Sequence, residues 1–399
     1  MREEVKYKKV HRHGTMHYSV IHGFFWIAYC AGTGYSSTYL LGIGFRNSQI
    51  GLLIALSGLL AALLQPALAG RIDRSGKMLL KPVIAGGITA AVFLSLAILF
   101  LPDGAGLISG ICFAGNLTVM QLLVPLINSL SVCGRESSRI NFGFARAIGS
   151  LTYAAASYVL GKTLAEQGMD VLSVVRIAAF AMLLLAVLLF PVQRTDPEVC
   201  SSREQNGFFD RYPGFGILMA GCFFLYLCHS LLTYYNYQIV LDKGGDEGAY
   251  GMVIALAAML ELPVMFGFSA MLRKASAGFW FLTAGFGYIA KASGALLAVT
   301  MTAYYGIQIF QMFSWSMISV ASVSYVKEIT ASEDSTRAQA FVTLSYTAAM
   351  ACGSLSGGFL LQLMDVRTML ILAAVLAVSG TAVLRRGLRK LNQGLTFAK

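Results

Sequence analysis

Three ionisable side chains lie inside long apolar runs: Glu261, Arg146 and Lys291. Glu261 sits near the middle of Tyr250–Lys274, YGMVIALAAMLELPVMFGFSAMLRK, a run long enough to cross a bilayer. About 20 apolar residues span the hydrocarbon core, and a charge at that depth costs roughly 2.5–3.5 kcal/mol on insertion scales. A carboxylate there is suited to carrying a proton, because a neutral carboxyl that ionises when a cation or solute approaches is a two-state switch. Arg146 offers five fixed donors to hydroxyls or carboxylates. Lys291 or His229 is the expected modulating partner of Glu261.

Neutral polar side chains recur beside these charges at helical spacing, which places each set on one face. The sets are Trp26, Tyr29, Thr33 and Ser36; Gln121 and Asn128 around Pro125; Arg146, Ser150 and Tyr153; His229, Thr233 and Asn236; and Gln308, Gln311, Trp315, Ser319 and Ser322. In lipid each such group needs a protein or water partner, so the faces point into a helix bundle. Hydrogen bonding between helices explains most of the hydroxyls; the three charges gain most from a hydrated cavity. Membrane-embedded catalysis would need a nucleophile–base pair or a metal cluster. The chain has no HExxH, no GxSxG and, by this reading, one intramembrane histidine, His229. The seven cysteines are scattered without a CxxC, so neither a disulfide framework nor a metal site is expected. No cofactor is implied.

The elements that position these residues follow from composition. Of 399 residues, 57% are hydrophobic and 12% charged, against about 25% charged in soluble domains. Apolar segments fall at approximately 17–43, 48–70, 80–101, 105–132, 142–164, 171–192, 214–240, 248–272, 279–299, 303–326, 338–363 and 367–385, twelve candidate transmembrane helices. The first is too long for a signal h-region and has no A-x-A-like cleavage site, so a retained helix is expected. The polar interval 193–213 reads as a linker between two six-helix halves, 1–192 and 214–399.

Lys/Arg asymmetry in short loops sets orientation. With a cytoplasmic N-terminus, 23 basic residues fall on that side and five on the other: Arg46, Lys162, Arg176, Lys243 and Arg367. Both termini are then cytoplasmic, and the net charge of +11 is a topology signal, not a nucleic-acid site. Repetition supports two related halves. GLLIALSGLL at 51–60 echoes GMVIALAAML at 251–260, and ESSR at 136–139 echoes DSTR at 334–337. Parallel repeats with a midplane site between them describe one large transporter architecture.

The end of the second span, LLQPALAGRIDRSGK at 63–77, resembles the cytoplasmic gating motif of the major facilitator superfamily, matching it in type at Gly70, Asp73, Arg74, Gly76 and Lys77. Gly70 lies three residues before the aspartate where the family has four. Arg146, Gly149 and Tyr153 resemble the fifth span of the lactose permease group. Lys291 falls where that group and the nucleoside permeases carry an arginine, and Glu261 falls near the eighth-span acid of both. Asn128, Gln311 and Ser314 depart from the acidic and histidine positions of the lactose permease, so lactose specificity is not expected. The resemblance implies an all-α membrane protein of twelve transmembrane helices in two pseudo-symmetric bundles. It further implies a monomer in a bacterial-type inner membrane, with Arg146 and Glu261 contacting solute hydroxyls and Tyr153 stacking on a sugar ring. Together with the polar faces, the expected solute-binding residues are Trp26, Tyr29, Gln121, Asn128, Arg146, Tyr153, His229, Asn236, Glu261, Lys291, Gln308, Gln311 and Trp315. The expected function is proton-coupled symport of a sugar, glycoside or nucleoside, with the halves rocking about the midplane and Glu261 carrying the proton. The alternative is a drug or metabolite efflux antiporter. The expected partners are a small solute, protons and the lipid bilayer.

Overall fold

The computed structural model describes residues 2–75, 78–101, 106–133, 140–191 and 207–397. Every regular element among them is helical. In chain order these are α1 (Arg2–Tyr29), a π-helical turn (Cys30–Gly34), α2 (Ser36–Gly42), α3 (Asn47–Arg74), α4 (Leu80–Phe100), α5 (Leu107–Cys133), α6 (Phe142–Gln167) and α7 (Asp170–Leu189). Then come α8 (Phe208–Arg211), α9 (Phe215–Tyr234), α10 (Asn236–Asp242), α11 (Glu247–Met271), α12 (Ala277–Leu297) and α13 (Met301–Ile307). A second π turn (Met312–Ser316), α14 (Met317–Ile329), α15 (Ser332–Leu363) and α16 (Val366–Phe397) complete the chain.

Each expected apolar segment coincides with one of these rods. Nine described helices are long and apolar enough to cross a membrane. The rods outside that set are the first, α6 and α12, whose Gly, Ser, Tyr and basic residues dilute their apolar content. This is an all-helical membrane fold, the form lipid requires because each backbone N–H and C=O finds its partner within the segment.

Three of the rods are broken. The first bends through the π turn at Cys30–Gly34 and restarts after Tyr35 (φ −102°, ψ 18°). The seventh restarts after Tyr235 (φ −107°, ψ 19°), and the tenth is interrupted at Gln308 and again by the second π turn. The tyrosines at the first two breaks are fully buried. Tyr35 Oη donates to the Ser157 carbonyl at 2.5 Å, and Tyr235 Oη donates to the carbonyl of Ser354.

These paired details carry the internal repeat beyond the two sequence echoes. After each tyrosine comes a seven-residue helix, then a turn closed by a glycine in the left-handed region, Gly44 (φ 92°) and Gly244 (φ 76°), 200 residues apart. The closing bonds match, from Phe45 N to Leu40 O and from Gly245 N to Val240 O, each 2.9 Å. The two closures stand at the same offset as the first sequence echo. The ESSR half of the second echo lies outside the described residues.

The chain divides into two compact units, Met1–Phe45 with Leu56–Ser201, and Arg46–Ala55 with Ser202–Lys399. In the first, α1 packs on α6 and α7, and α4 packs on α5 and α7, around a core that includes Ile21, Phe25, Ile84, Ile88, Leu123 and Phe180. In the second, α9 packs on α15 and α16, while α12 packs on α14, α16 and the second π turn.

Candidate functional site

Each unit holds its own polar cluster. In the first unit, α1 places Tyr18, His22 and Trp26 at i, i+4 and i+8, one stripe down its inner face. The Trp26 indole N–H donates to His22 Nδ1 at 3.2 Å, and His22 Nε2 meets Tyr18 Oη at 2.9 Å. Tyr18 Oη donates in turn to the Ile127 carbonyl on α5 at 3.1 Å. Arg146 of α6 lays its guanidinium over the Trp26 ring, 4.1 Å from the centroid, and Nη1 donates to Ser150 Oγ at 3.0 Å. Such a cation–π contact strengthens as it is desolvated. Tyr29 and Tyr153 flank the indole at centroid separations of 5.1 and 6.1 Å. Gly149 is required here: a Cβ at that position would collide with the Trp26 ring.

Trp26, Tyr29, Arg146 and Tyr153 are thus brought together. Gln121 stands apart, its Nε2 donating to Ser57 Oγ at 3.5 Å. Asn128 engages through its backbone, its carbonyl accepting from Ser131 Oγ at 2.7 Å.

In the second unit the acid, the amide and the amine form a chain. Gln311 Nε2 donates to Glu261 Oε1 at 2.8 Å, and Lys291 Nζ donates to Gln311 Oε1. Ser316 Oγ donates to the Glu261 backbone carbonyl at 3.0 Å. Lys291 and Gln311 are buried, and the Glu261 side chain is half-buried. An amide that accepts from a cation and donates to a carboxylate is polarised along its length, which strengthens both bonds. Four residues past Gln311, Trp315 stacks on His229 (centroids 4.3 Å apart, planes 6° apart). Tyr346 lies 5.6 Å from Trp315, and Tyr288, three residues before Lys291 on α12, packs edge-on to His229 at 5.9 Å.

Glu261, Lys291, Gln311, His229 and Trp315 therefore converge. Asn236 and Gln308 belong to another group, in which Tyr304 Oη donates to Asn236 Oδ1 at 2.8 Å and Gln308 Nε2 donates to the Tyr304 carbonyl at 3.2 Å.

Two expectations need correction. Arg176, counted among the loop charges outside the membrane, lies within α7 and is 1% exposed. Its Nε donates to Ser95 Oγ at 2.9 Å and its Nη2 to Ser173 Oγ at 3.3 Å, with the Phe113 ring 5.7 Å away. Asn116 Nδ2 also donates to Ser95 Oγ, at 2.9 Å. A buried guanidinium must place its donors on the protein, and α4, α5 and α7 supply the partners. The signal in the sequence was the Ser173–Arg176 pair, three apart inside an apolar run. The second correction concerns His22, which joins His229 as a buried intramembrane histidine. Its spacing of four from both Tyr18 and Trp26 is the signal in the sequence.

In the expected gating motif, the Gly70 carbonyl accepts from Arg74 Nε at 3.2 Å. Gly76, Lys77 and the Asp73 side chain lie outside the described residues. Among the described residues no group of three His, Cys, Asp or Glu could hold a metal ion.

Residues 16–372 match the model of the MFS_1 like family. No curated protein sequence matches the chain. Among solved structures, a mutant of the nucleoside transporter NupG is similar with a TM-score of 0.78 at 13% identity, covering 93% of this chain and 99% of that one. A bacterial homologue of the iron transporter ferroportin, in an inward-facing state, gives 0.73 at 14% identity, covering 94% and 98%. A structure from work on substrate recognition in proton dependent oligopeptide transporters gives 0.68 at 12%, covering 96% and 100%. At these identities the likeness is one of fold.

Proposed function

This chain belongs to the MFS_1 like family of secondary transporters, and from that premise we propose that it couples inward movement of a small polar solute to protons. The observation that carries the reading is the Lys291–Gln311–Glu261 chain, a carboxylate held inside a membrane bundle by an amide that also binds an amine. Intramembrane acids mark proton and solute pathways by default. Glu261 is the proposed proton carrier. Arg146 over Trp26 is the proposed solute-binding group of the first unit, and the His229–Trp315 stack that of the second. The solute class is a sugar, glycoside or nucleoside: flat aromatic faces suit a ring, and Arg, Gln and Lys suit its hydroxyls or carbonyls. The nucleoside transport named for NupG supports the nucleoside arm by likeness of fold only.

The proposed setting is a bacterial-type inner membrane with both termini cytoplasmic and the chain acting as a monomer. An impermeant thiol reagent on intact cells would label a cysteine placed at Lys243 and spare one placed at Arg74; the reverse pattern refutes that orientation.

The functional test is uptake into proteoliposomes of labelled uridine, adenosine, lactose and methyl glucoside under an imposed proton gradient. Each proton entering down ~100 mV supplies about 2.3 kcal/mol, enough for accumulation beyond tenfold. Accumulation of one of these solutes that collapses with a protonophore supports the reading. Flux only into the proton-rich side, in exchange for protons leaving it, would favour an efflux antiporter instead.

A further inference from the structure

The hydrogen-bond direction of the α1 stripe is set by chemistry alone. An indole N–H can only donate, so His22 Nδ1, 3.2 Å from Trp26 Nε1, must be the acceptor. The ring proton of a neutral His22 is then on Nε2, where it donates to Tyr18 Oη at 2.9 Å, and the Tyr18 proton is free to donate to the Ile127 carbonyl at 3.1 Å. In this single arrangement every donor in the row has an acceptor. The other neutral tautomer, or an imidazolium, would set two hydrogens against each other between Nδ1 and the indole.

Trp26 is also the surface on which Arg146 lies, 4.1 Å from the ring centroid. The charged or titratable groups facing His22 are Tyr18 on its own helix and Arg146 from α6, which also presents Phe142 edge-on at 5.9 Å. From α5 come the carbonyls of Ile127 and Asn128 behind Tyr18, and from the end of α7 the Phe190 ring, 6.2 Å from Tyr18.

We propose that His22 is the positioning residue of the Arg146 site, holding Trp26 in place only as the neutral Nε2–H tautomer, so that proton uptake on its imidazole releases the indole and the guanidinium resting on it. His22 touches no solute in this scheme. It makes the solute-binding face of the first unit responsive to protons independently of Glu261. The functional consequence rests on the reading of Arg146 as a solute contact, whereas the tautomer and its linkage do not.

The test is nuclear magnetic resonance on the full-length protein in nanodiscs, labelled with ¹⁵N at the tryptophan indoles and, separately, at the histidine rings. The chain has three tryptophans, and a Trp26→Phe variant assigns the Trp26 signal. Trp280, whose N–H donates to the Met271 carbonyl at 3.0 Å, is the internal reference. In the parent protein His22 is expected as the Nε2–H tautomer, with the Trp26 indole proton shifted and slow to exchange. His22→Phe should abolish that shift and speed exchange about tenfold, the loss of one buried hydrogen bond. His22→Asn, which keeps an acceptor near the Nδ1 position, should retain the shift. On acidification the parent Trp26 signal should move while that of His22→Asn stays still.

An unchanged Trp26 signal in His22→Phe, or an Nδ1–H tautomer in the parent, overturns the proposal. If His22→Phe fails to fold, shown by loss of the Trp280 signal, the parent tautomer and the Asn variant still decide it. None of these measurements uses a solute, so absent uptake with this linkage intact would count against the transport reading and leave the His22 assignment standing.

Discussion

Gln311 gives its amide twice, taking the Lys291 ammonium on its oxygen and the Glu261 carboxylate on its nitrogen. Removing it takes one hydrogen bond from the buried Lys291 ammonium and one from the half-buried Glu261 carboxylate, and a buried group that loses a partner costs about 1–3 kcal/mol. Gln311→Leu is therefore expected to lose solute accumulation as Glu261→Gln does, but with a lower thermal midpoint as well. Glu261→Gln keeps the shape and hydrogen bonding of the site and loses only the dissociable proton. That variant should exchange solute across the membrane at near-parental rates while failing to accumulate it; equal accumulation by mutant and parent excludes Glu261 as the coupling group. Arg146→Lys retains the charge and loses the planar face over Trp26. It should weaken solute binding by roughly five- to thirtyfold, the range of a partly desolvated cation–π contact of ~1–2 kcal/mol, read by isothermal titration with whichever solute is transported. Unchanged affinity would reassign Arg146 to structure.

At the scale of elements, the two π turns set the geometry of both clusters. Each lies against a candidate residue: Tyr29 immediately precedes the first, Gln311 precedes the second and Trp315 lies within it. Single π turns inside α-helices are frequent at functional sites. The second is reached closely by α12 at Gly287, where a Cβ would strike the Phe313 carbonyl. Backbone cannot yield there as a flexible side chain could, so Gly287→Leu is expected to destabilise by about 1–3 kcal/mol and to misplace Lys291 one turn along. A thermal midpoint equal to the parent's would sink that account. In the same unit Asp365 caps α16, its Oδ1 accepting from the Thr368 N–H at 2.8 Å and the Thr368 hydroxyl at 2.6 Å. These bonds hold the carboxyl below the usual carboxylate range. Because the folded value is the depressed one, the stability from this cap is present above the unfolded pKa and fades as pH falls through the folded value. Asp365→Asn should remove that acid-side dependence, measured as the difference in thermal midpoint between neutral and acid pH.

For the whole molecule, the repeat at an offset of 200 ties the two breaks after Tyr35 and Tyr235 to one structural plan. The twelve apolar segments were legible because membrane helices satisfy their own backbones and announce themselves by length and apolarity. Arg146 and Tyr153 were also legible as one helix face and Trp26 as part of another, while their meeting across two helices was not. The misplacement of Arg176 and the neglect of His22 share a cause. Charge counting treats a basic residue near the end of a segment as a loop residue, and a histidine among aromatics reads as filler. Their roles depend on Ser95, Asn116 and Ile127, which belong to other helices far away in the chain.

What the sequence alone determined is therefore the class of molecule: helices long enough for a bilayer, and an acid, a guanidinium and an amine too costly to keep in lipid without partners. Only the tertiary structure decided which partners those are. An apolar stretch turns helical by local bonding, one residue to the next. The pairing of Lys291 with Gln311, Gln311 with Glu261 and Arg146 with Trp26 depends on how side chains from separate helices meet. That meeting is governed by packing at places such as Gly149 and Gly287, where a single methyl group would close the gap.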